Sequence, residues 1–495
     1  MRPLKSLTST YQCLDSNMSI TATHADYDKH IATWNKLDDA CGGQEVIKEK
    51  REVYLPLPTL FKSPKDLDGK GRYGEYLLRA IFPGVTSRTL ASHIGLAFGK
   101  TPVFNRPRTL EYLERNADGA GRSIWQCAQR ATRLVNKNYR CGVYVDYPAV
   151  TPSKNKEEEK LKGAFPMIHI IKAGAIKDWD YIIVGNQKKL SFVKLLETVK
   201  VRNGFTVESN DQYRILLLEE TANGHVYTVQ IHSKDDKGQW VEGEKFIPTD
   251  YHGKPWDYIP FTFCGAVDNS DEIGTAPLYE LASMELSYYA STADVEESAF
   301  IVGQPTLCFP SITDEQYKWV KESGAGVGSR SGIPTDAKMV QAEKNGLAYE
   351  RMNDKWNQMK ELGARLIEVG SANKTATQAD NDSSVQHSVL SLVVANVSEA
   401  FTIALRWCAK FVIPEHDLKV DELSFTIAQD FNKPKYDATR SKLIYEACLA
   451  GELPMYVWYH YEQTGTFPED KWEDIVKKIE KRDDGGMNNP PNDEE

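Results

Sequence analysis

The chain has 495 residues, of which 41% are hydrophobic and 26% charged, a composition that supports folded cores. Its formal net charge of −10 and pI of about 5.6 argue against a protein that grips nucleic acid with a basic face, but they are compatible with a surface past which DNA slides. Eight scattered cysteines without a Cys-x-x-Cys pair favour reduced thiols over a metal site or a disulfide framework. The sequence shows neither an uninterrupted apolar run of membrane-spanning length nor a secretory signal, and no membrane association is expected.

The first part of the chain, to about residue 140, predicts a layer of helices. Residues 1–24 are a polar leader that is expected to be disordered. Apolar residues then recur at helical spacing, and Ser123 stands where a helix N-cap belongs. The predicted helices are Asp26 to Cys41, Tyr73 to Ile81, Ser87 to Phe98 and Ser123 to Asn138.

Residues 141–270 predict a β-rich region, because the spacing changes from helical to alternating after Arg140. Turn signals such as Asn223-Gly224 lie between the alternating segments, as expected for antiparallel meanders. The predicted strands are Cys141 to Tyr147, Phe165 to Ile171, Ile176 to Val184, Leu190 to Val199, Tyr213 to Glu219, Val226 to Ser233, Trp240 to Ile247 and Phe261 to Ala266.

Two helices, over residues 271–300 and 347–369, enclose an insert at 301–346. The insert contains short strand-like pieces, Thr306 to Phe309 and Ala337 to Ala342, on either side of the glycine-rich run Ser323 to Gly332. Both helices have apolar stripes that are too apolar for solvated rods, and we expect them to mediate self-association. The interface residues predicted on this basis are Leu281, Tyr288, Val295, Met352, Trp356 and Met359.

A polar segment over residues 370–384 lacks large apolar side chains and is predicted to be a loop, followed by a long helix over 385–413. The loop residues of interest are Asn373, Lys374, Thr375, Thr377, Gln378, Asp380, Asn381 and Asp382. Residues 414–482 predict further helices at Tyr436 to Leu449, Met455 to Glu462 and Glu469 to Lys481, and an acidic tail at 483–495 is expected to be disordered.

No catalytic or metal-binding residues are predicted. The glycine-rich run lacks the spacing of a dinucleotide fingerprint and the Lys-Ser or Lys-Thr pair of a P-loop. Asp66-Leu-Asp68-Gly69 resembles the start of a calcium loop, but the twelfth position is Leu77 instead of glutamate. Histidine pairs of the His-x-x-x-His type and a Gly-x-Ser-x-Gly elbow do not occur. No cofactor is therefore expected.

The order of these segments resembles that of the portal proteins of tailed bacteriophages, in particular the group first described as a portal-like domain of unknown function. The resemblance covers roughly residues 25–481 and rests on motif order more than on any single motif. The motifs are the run from Tyr73 to Leu90, Asp118-Gly119 with Ser123, the run from Gly142 to Pro148, Gln304-Pro305-Thr306, and Thr375 to Ala379. One departure is Gln378, which stands where the family pattern has an acidic residue.

The resemblance implies an α+β fold with the portal parts in order. Residues 25–270 correspond to the wing, with a helical layer at 25–140 and a β-rich part at 141–270. The stem is formed by 271–300 and 347–369, the clip by 301–346, the tunnel loop by 370–384, the long wing helix by 385–413 and the crown by 414–482. Within the clip, the docking loop is expected to include Gly326, Gly328, Ser329, Arg330 and Ser331.

The family's function, carried over as an expectation, is a channel at one capsid vertex for packaging and ejection of double-stranded DNA. The expected partners are further copies of the chain in a homododecameric ring, the DNA, the terminase large subunit, a head-tail adaptor, and the major capsid and scaffolding proteins. The expected location is the virion, after assembly in the host cytoplasm. Two alternatives stay open: another virion ring or head-tail connector, and a soluble hydrolase.

Overall fold

The computed structural model describes residues 20–57, 71–147, 165–303 except 223 and 236, 306–308, 313–315, 318, 338–340, 346–363, 376–417, 419–429 and 438–464. The fold is α+β. The helices are α1 Ala25–Gly42, α2 Gln44–Glu49, α3 Arg72–Arg79, α4 Val85–Ala97, α5 Ile124–Asn138, α6 Tyr279–Val302, α7 Gly346–Glu361, α8 Ala376–Val412, α9 Ala438–Leu449 and α10 Met455–Thr464. The strands are β1 Val103–Asn105, β2 Arg140–Asp146, β3 Met167–Lys172, β4 Ile176–Val184, β5 Gln187–Asn203, β6 Thr206–Thr221, β7 Gly224–Lys234, β8 Trp240–Phe246, β9 Phe261–Gly265, β10 Thr306–Cys308, β11 Lys338–Val340 and β12 Ser424–Thr426.

The N-terminal helices follow the predicted pattern to within a few residues. At the start of α5, the Ser123 hydroxyl accepts a hydrogen bond from the Gln126 N–H, and the Gln126 side chain accepts one from the Ser123 N–H. This capping box satisfies two N–H groups that a helix start otherwise leaves without partners. The sequence reasoning missed α2, β1 and β12, which are short and have too few residues to show a period.

The strands form two larger antiparallel sheets. One contains β4 to β8 in chain order, as the meander prediction expected. The other has the order β3-β2-β9, so that β9 returns across about 115 residues to pair with β2, with Cys141 opposite Cys264. A short pair joins β1 to β12, whose register sets Phe104 opposite Phe425.

Helix α8 is the central helix of the first compact unit, residues 1–428, and contacts α5, β2 and β9. One face is fully buried, including Leu390, Val394, Phe401 and Leu405, each at most 1% exposed. Its segment Val389–Val412 is long and apolar enough to cross a membrane by length and composition. Because its apolar face packs against other elements of the same chain, we interpret it as a core helix.

The predicted loop over 370–384 is wrong for its second half, because α8 already begins at Ala376. Ala376, Gln378 and Ala379 are good helix formers, and a helix N-terminus favours nearby acidic side chains such as Asp380. The segment is polar, but polarity does not determine the backbone conformation. The helix has 37 residues and is about 55 Å long.

The second compact unit, residues 429–495, contains the helical hairpin α9–α10. Its small core consists of Ile444, Cys448, Val457 and Tyr461, all at most 5% exposed. The predicted crown boundary at residue 414 is therefore too early. Residues up to 428 belong to the first unit, where β12 pairs with β1.

Candidate functional site

Helices α6 and α7 form an antiparallel pair that encloses the insert. The indole ring of Trp356 packs against the phenol ring of Tyr288, with ring centroids 5.5 Å apart. The ammonium of the neighbouring Lys355 donates hydrogen bonds to the Ser287 carbonyl at 3.0 Å and to the Ser291 hydroxyl at 2.6 Å. Met359 lies in one cluster with Leu281, whereas Trp356 packs on Tyr288 farther along α6. Residue numbers therefore fall along α7 as they rise along α6, as expected for two helices joined by an insert that leaves and returns at one end.

The inner side of this pair packs onto the N-terminal helical layer. Leu278, Leu281 and Met359 form a cluster with Val85 and Leu90 of α4, and each of these side chains is at most 3% exposed. Met284, Tyr288 and Trp356 pack against the same cluster and are partly buried.

The predicted interface is therefore wrong at Leu281 and Met359, which are 2% and 0% exposed within a single chain. A second copy cannot contact side chains that are buried beneath the chain's own helices. Tyr288 and Trp356 mainly contact each other and the cluster. Val295 and Met352 are partly buried, so part of each side chain remains at the surface.

Polar contacts fix α6 against α3 and α4. The Glu285 carboxylate is 0% exposed and accepts hydrogen bonds from the backbone N–H groups of Val85 at 2.5 Å and Thr86 at 2.9 Å. It thus caps the N-terminus of α4, and burial raises its pKa although these hydrogen bonds act in the opposite direction. Farther along α6, the Glu297 carboxylate accepts hydrogen bonds from the guanidinium groups of Arg79 and Arg72.

Several apolar side chains of the α6–α7 pair near the insert remain partly or largely exposed. Leu347 is 69% exposed, Tyr349 56% and Phe300 39%. Leu347 and Tyr349 lie in the first turn of α7, and Phe300 lies near the end of α6. We call these three residues the insert-proximal patch. None of the three is among the interface residues predicted from the sequence.

The insert is described in part. Its strands β10 and β11 pair antiparallel, with Leu307 opposite Met339, so the two predicted strand-like pieces close the base of the insert. The predicted docking loop, with Gly326, Gly328, Ser329, Arg330 and Ser331, lies outside the described residues.

The predicted channel segment is divided between described and undescribed positions. Asn373, Lys374 and Thr375 lie outside the described residues, as does the end of the predicted helix at 364–369. The backbone of the other predicted positions belongs to the first turns of α8: Thr377, Gln378, Asp380, Asn381 and Asp382. The segment thus precedes and begins a helix whose later part is buried in the chain.

Within the described ranges, His, Cys, Asp and Glu side chains form no group of three or more that could hold a metal ion. A surface pocket of about 410 Å³ lies at the outer edge of the five-stranded sheet. Its lining residues are His24, Trp179, Asp180, Tyr181, Ile183, Lys188 and Asp271. Of its two carboxylates, that of Asp271 is paired with the Lys188 ammonium at 2.8 Å, and the same ammonium lies over the Tyr181 ring.

Comparison with known proteins gives one family match and weak structural similarity. Residues 277–412, which span α6, the insert, α7 and α8, match the family model of a domain of unknown function (DUF4055). The search of curated proteins found no match.

Two solved structures show the extent of the structural similarity. The chain is similar to one from the neck of a native gene transfer agent (GTA) particle, computed with C12 symmetry, with a TM-score of 0.40 and 11% identity. It is also similar to one from the neck of an empty GTA particle, computed with C6 symmetry, with a TM-score of 0.39 and 12% identity. Each match covers 81% of this chain and 94% of the other. At these scores the similarity carries no functional argument.

Proposed function

We propose that this chain is the subunit of a phage portal ring, a non-catalytic channel for double-stranded DNA that binds a terminase and a head-tail adaptor. The observation that carries the proposal is the α6–α7 pair, which is anchored to the chain's own core at one end and exposes the insert-proximal patch at the other. Exposed apolar side chains at one end of a helix pair are typical of a surface that a partner covers.

The organisation around the pair supports a ring. Its helices are held by Met359 in the core and by the Lys355 hydrogen bonds, so the pair presents the insert on a stiff support. A rigid pair with exposed apolar residues can repeat the same contact from copy to copy. When such head-to-tail contacts close, they form a ring.

The charge of the chain suits a channel. Each chain carries a formal net charge of −10, and a ring of twelve copies would carry about −120. Such a wall repels the phosphate backbone, and weak binding is what a channel needs, because each neutralised phosphate adds salt-dependent affinity. Lys374, next to the start of α8, supplies a cation for transient phosphate contacts in the segment assigned to the channel.

In this proposal the insert is the clip, to which the terminase and the adaptor bind in turn, and the terminase supplies ATP hydrolysis. The ring occupies one capsid vertex together with the major capsid protein and forms with scaffolding protein in the host cytoplasm. The channel segment around residues 373–382 faces the DNA, and α8 connects it to the wing.

Mass photometry and negative-stain imaging of the purified full-length chain test the proposal. We expect particles of about twelve chains with a central hole, because a portal must surround its DNA. A compact monomer at micromolar concentration would contradict the proposal. In co-expression with capsid and scaffolding proteins, a ring that is incorporated into tails but not into procapsids would favour the head-tail connector alternative.

A further inference from the structure

Strands β5 and β6 continue beyond the five-stranded sheet as a two-stranded arm. Pairing of β5 with β4 ends at Leu195, and pairing of β6 with β7 ends at Gln212. Beyond these points the two strands pair only with each other, with Val199 opposite Asn210 and Asn203 opposite Thr206. We define the arm as residues 198–211, all of which are exposed. It extends about 20 Å from the sheet, taking six pairs at about 3.3 Å per residue.

The tip of the arm carries an aromatic side chain without contacts to the rest of the chain. Gly204 adopts a φ of 61°, as the first central residue of a tight hairpin turn requires, and Phe205 follows it. Phe205 is 102% exposed, more than any other large apolar side chain for which the structure gives an exposure. Isolated two-stranded hairpins have marginal stability in water, so an arm with this tip is expected to gain stability from a partner.

The arm also carries two cations near its tip. Lys200 and Arg202 lie at alternate positions of β5 and so point to one face, away from Val199 and Val201. Within the described part of the chain, neither cation forms a salt bridge. Their cross-strand partners, Ser209 and Val207, are uncharged, and Glu208 lies opposite Val201 on the other face. One face of the arm near Phe205 is therefore basic.

The pocket at the β4 edge has the complementary chemistry. Its aromatic base is Trp179, which is 3% exposed and is held between the His24 ring, at a centroid distance of 4.0 Å, and the Arg140 guanidinium at 4.1 Å. Ile183 is 77% exposed at its edge. The carboxylates of Asp180 and Asp271 also line it, with Lys188 paired to Asp271 at 2.8 Å.

The arm cannot reach the pocket of its own chain. Lys188 lines the pocket at one end of β5, and the arm is at the other end of the same strand. Residues 188 and 203 of an extended strand lie about 50 Å apart. The two complementary features therefore stand at opposite ends of one sheet.

We propose that the arm of one copy places Phe205 in the pocket of a second copy, against Ile183 and Tyr181 at its rim, with Arg202 facing Asp180. The contact is head-to-tail and can repeat around a closed ring. It rests on the self-assembly in the proposed function, and it adds the surfaces that join neighbouring copies. Aromatic and arginine side chains in a pocket are the residue types that dominate interface affinity.

Disulfide trapping tests the contact directly. A chain with both Phe205→Cys and Ile183→Cys is expected to form covalent multimers on oxidation, because each copy links to the next on both sides. Each single variant is expected to form at most covalent dimers. A control chain carries Phe205→Cys and Val241→Cys, and position 241 is exposed on the opposite edge of the sheet. This control is expected to form no species larger than dimers. Cys13 and Cys308 are replaced by serine in all of these variants. Of the other six native cysteines, five are buried, and burial raises the pKa of the sixth, Cys41, to about 11, so these thiols react slowly.

A second measurement uses variants that leave the core unchanged. Phe205→Ser is expected to weaken self-association about 30-fold or more, whereas Val241→Ser has little effect. Arg202→Asp is expected to weaken self-association, and the double variant Arg202→Asp with Asp180→Arg is expected to restore it. The double variant Asp180→Arg with Arg130→Asp is expected to keep the weak self-association. Arg130 is an exposed residue of α5 and serves as the matched control.

The outcomes separate this inference from the proposed function. Rings that form normally with Phe205→Ser and give no multimers in the trapping experiment overturn the arm–pocket contact and leave the portal proposal standing. A wild-type chain that stays monomeric overturns both. Multimers in the double-cysteine chain together with loss of rings in Phe205→Ser support the contact.

Discussion

The carboxylate of Glu285 in α6 accepts a hydrogen bond from the backbone N–H of Val85, the first residue of α4, at 2.5 Å. This bond joins two elements that are 200 positions apart in sequence. It fixes the α6–α7 pair, and with it the insert, on the N-terminal helical layer.

Glu285→Ala is expected to destabilise the chain by about 2–4 kcal/mol, since it removes a cap and leaves two buried N–H groups without partners. Urea denaturation measures the change. Glu280→Ala, at an exposed position in the first turn of α6, is the control and should change stability by less than about 0.5 kcal/mol. Equal losses in the two variants would show that the cap does not stabilise the fold.

The same carboxyl predicts a pH dependence. Burial raises its folded-state pKa above the ordinary value of 4.5, so the folded chain keeps this proton to a higher pH than the unfolded chain. Stability contributed by the group is therefore present below pH 4.5 and falls as pH rises through the folded-state pKa. Glu285→Gln removes this dependence. Urea midpoints between pH 4 and 7 should fall more steeply for the wild type than for the variant, and parallel curves would contradict the prediction.

Substitutions of Trp356 and Tyr349 are expected to affect different properties, folding stability for Trp356 and ring assembly for Tyr349. Trp356→Ala should destabilise each chain by about 2 kcal/mol, because its half-buried ring packs on Tyr288. Tyr349→Asp, at a position 56% exposed in the insert-proximal patch, should leave folding stability unchanged but shift rings toward smaller species. Thermal unfolding and mass photometry separate the two effects. Intact rings with Tyr349→Asp would show that the insert-proximal patch is not part of the ring interface.

Lys374→Glu is expected to alter DNA passage or retention without affecting ring assembly, since the change replaces a cation in the segment proposed to face the DNA with an anion that repels phosphate. Nuclease-protected DNA per particle is the measurement. Lys172→Glu, with the same charge change at an exposed position at the end of β3, is the control. If both variants retain as much DNA as the wild type, residue 374 does not face the DNA.

Deletion of residues 326–331 should leave rings intact and abolish terminase or adaptor binding, because the run lies within the insert and its glycine and serine residues have little capacity to form a core. Pull-down with the cognate terminase measures binding, and negative-stain imaging checks the rings. Normal packaging by rings that lack the loop would refute its role in docking.

The sequence by itself determined most elements of the fold. Ser123 and Gln126 predict the start of α5 because a capping box depends on residues three positions apart. Alternating residues predicted the meander, and the helix–insert–helix order was evident from local spacing. These features depend on neighbours along the chain, and a sequence displays such neighbours directly.

Only the tertiary structure decided which apolar residues are available to a partner. Leu281 and Leu347 look alike in sequence, but the first is 2% exposed and the second 69%, because Val85 and Leu90 cover one end of the helix pair and not the other. The pairing of β1 with β12, the start of α8 and the placement of Phe205 far from the pocket at Trp179 also depend on contacts between distant segments. Local periodicity carries no information about which distant segment covers a given face, and that is the physical reason why the sequence alone left these features open.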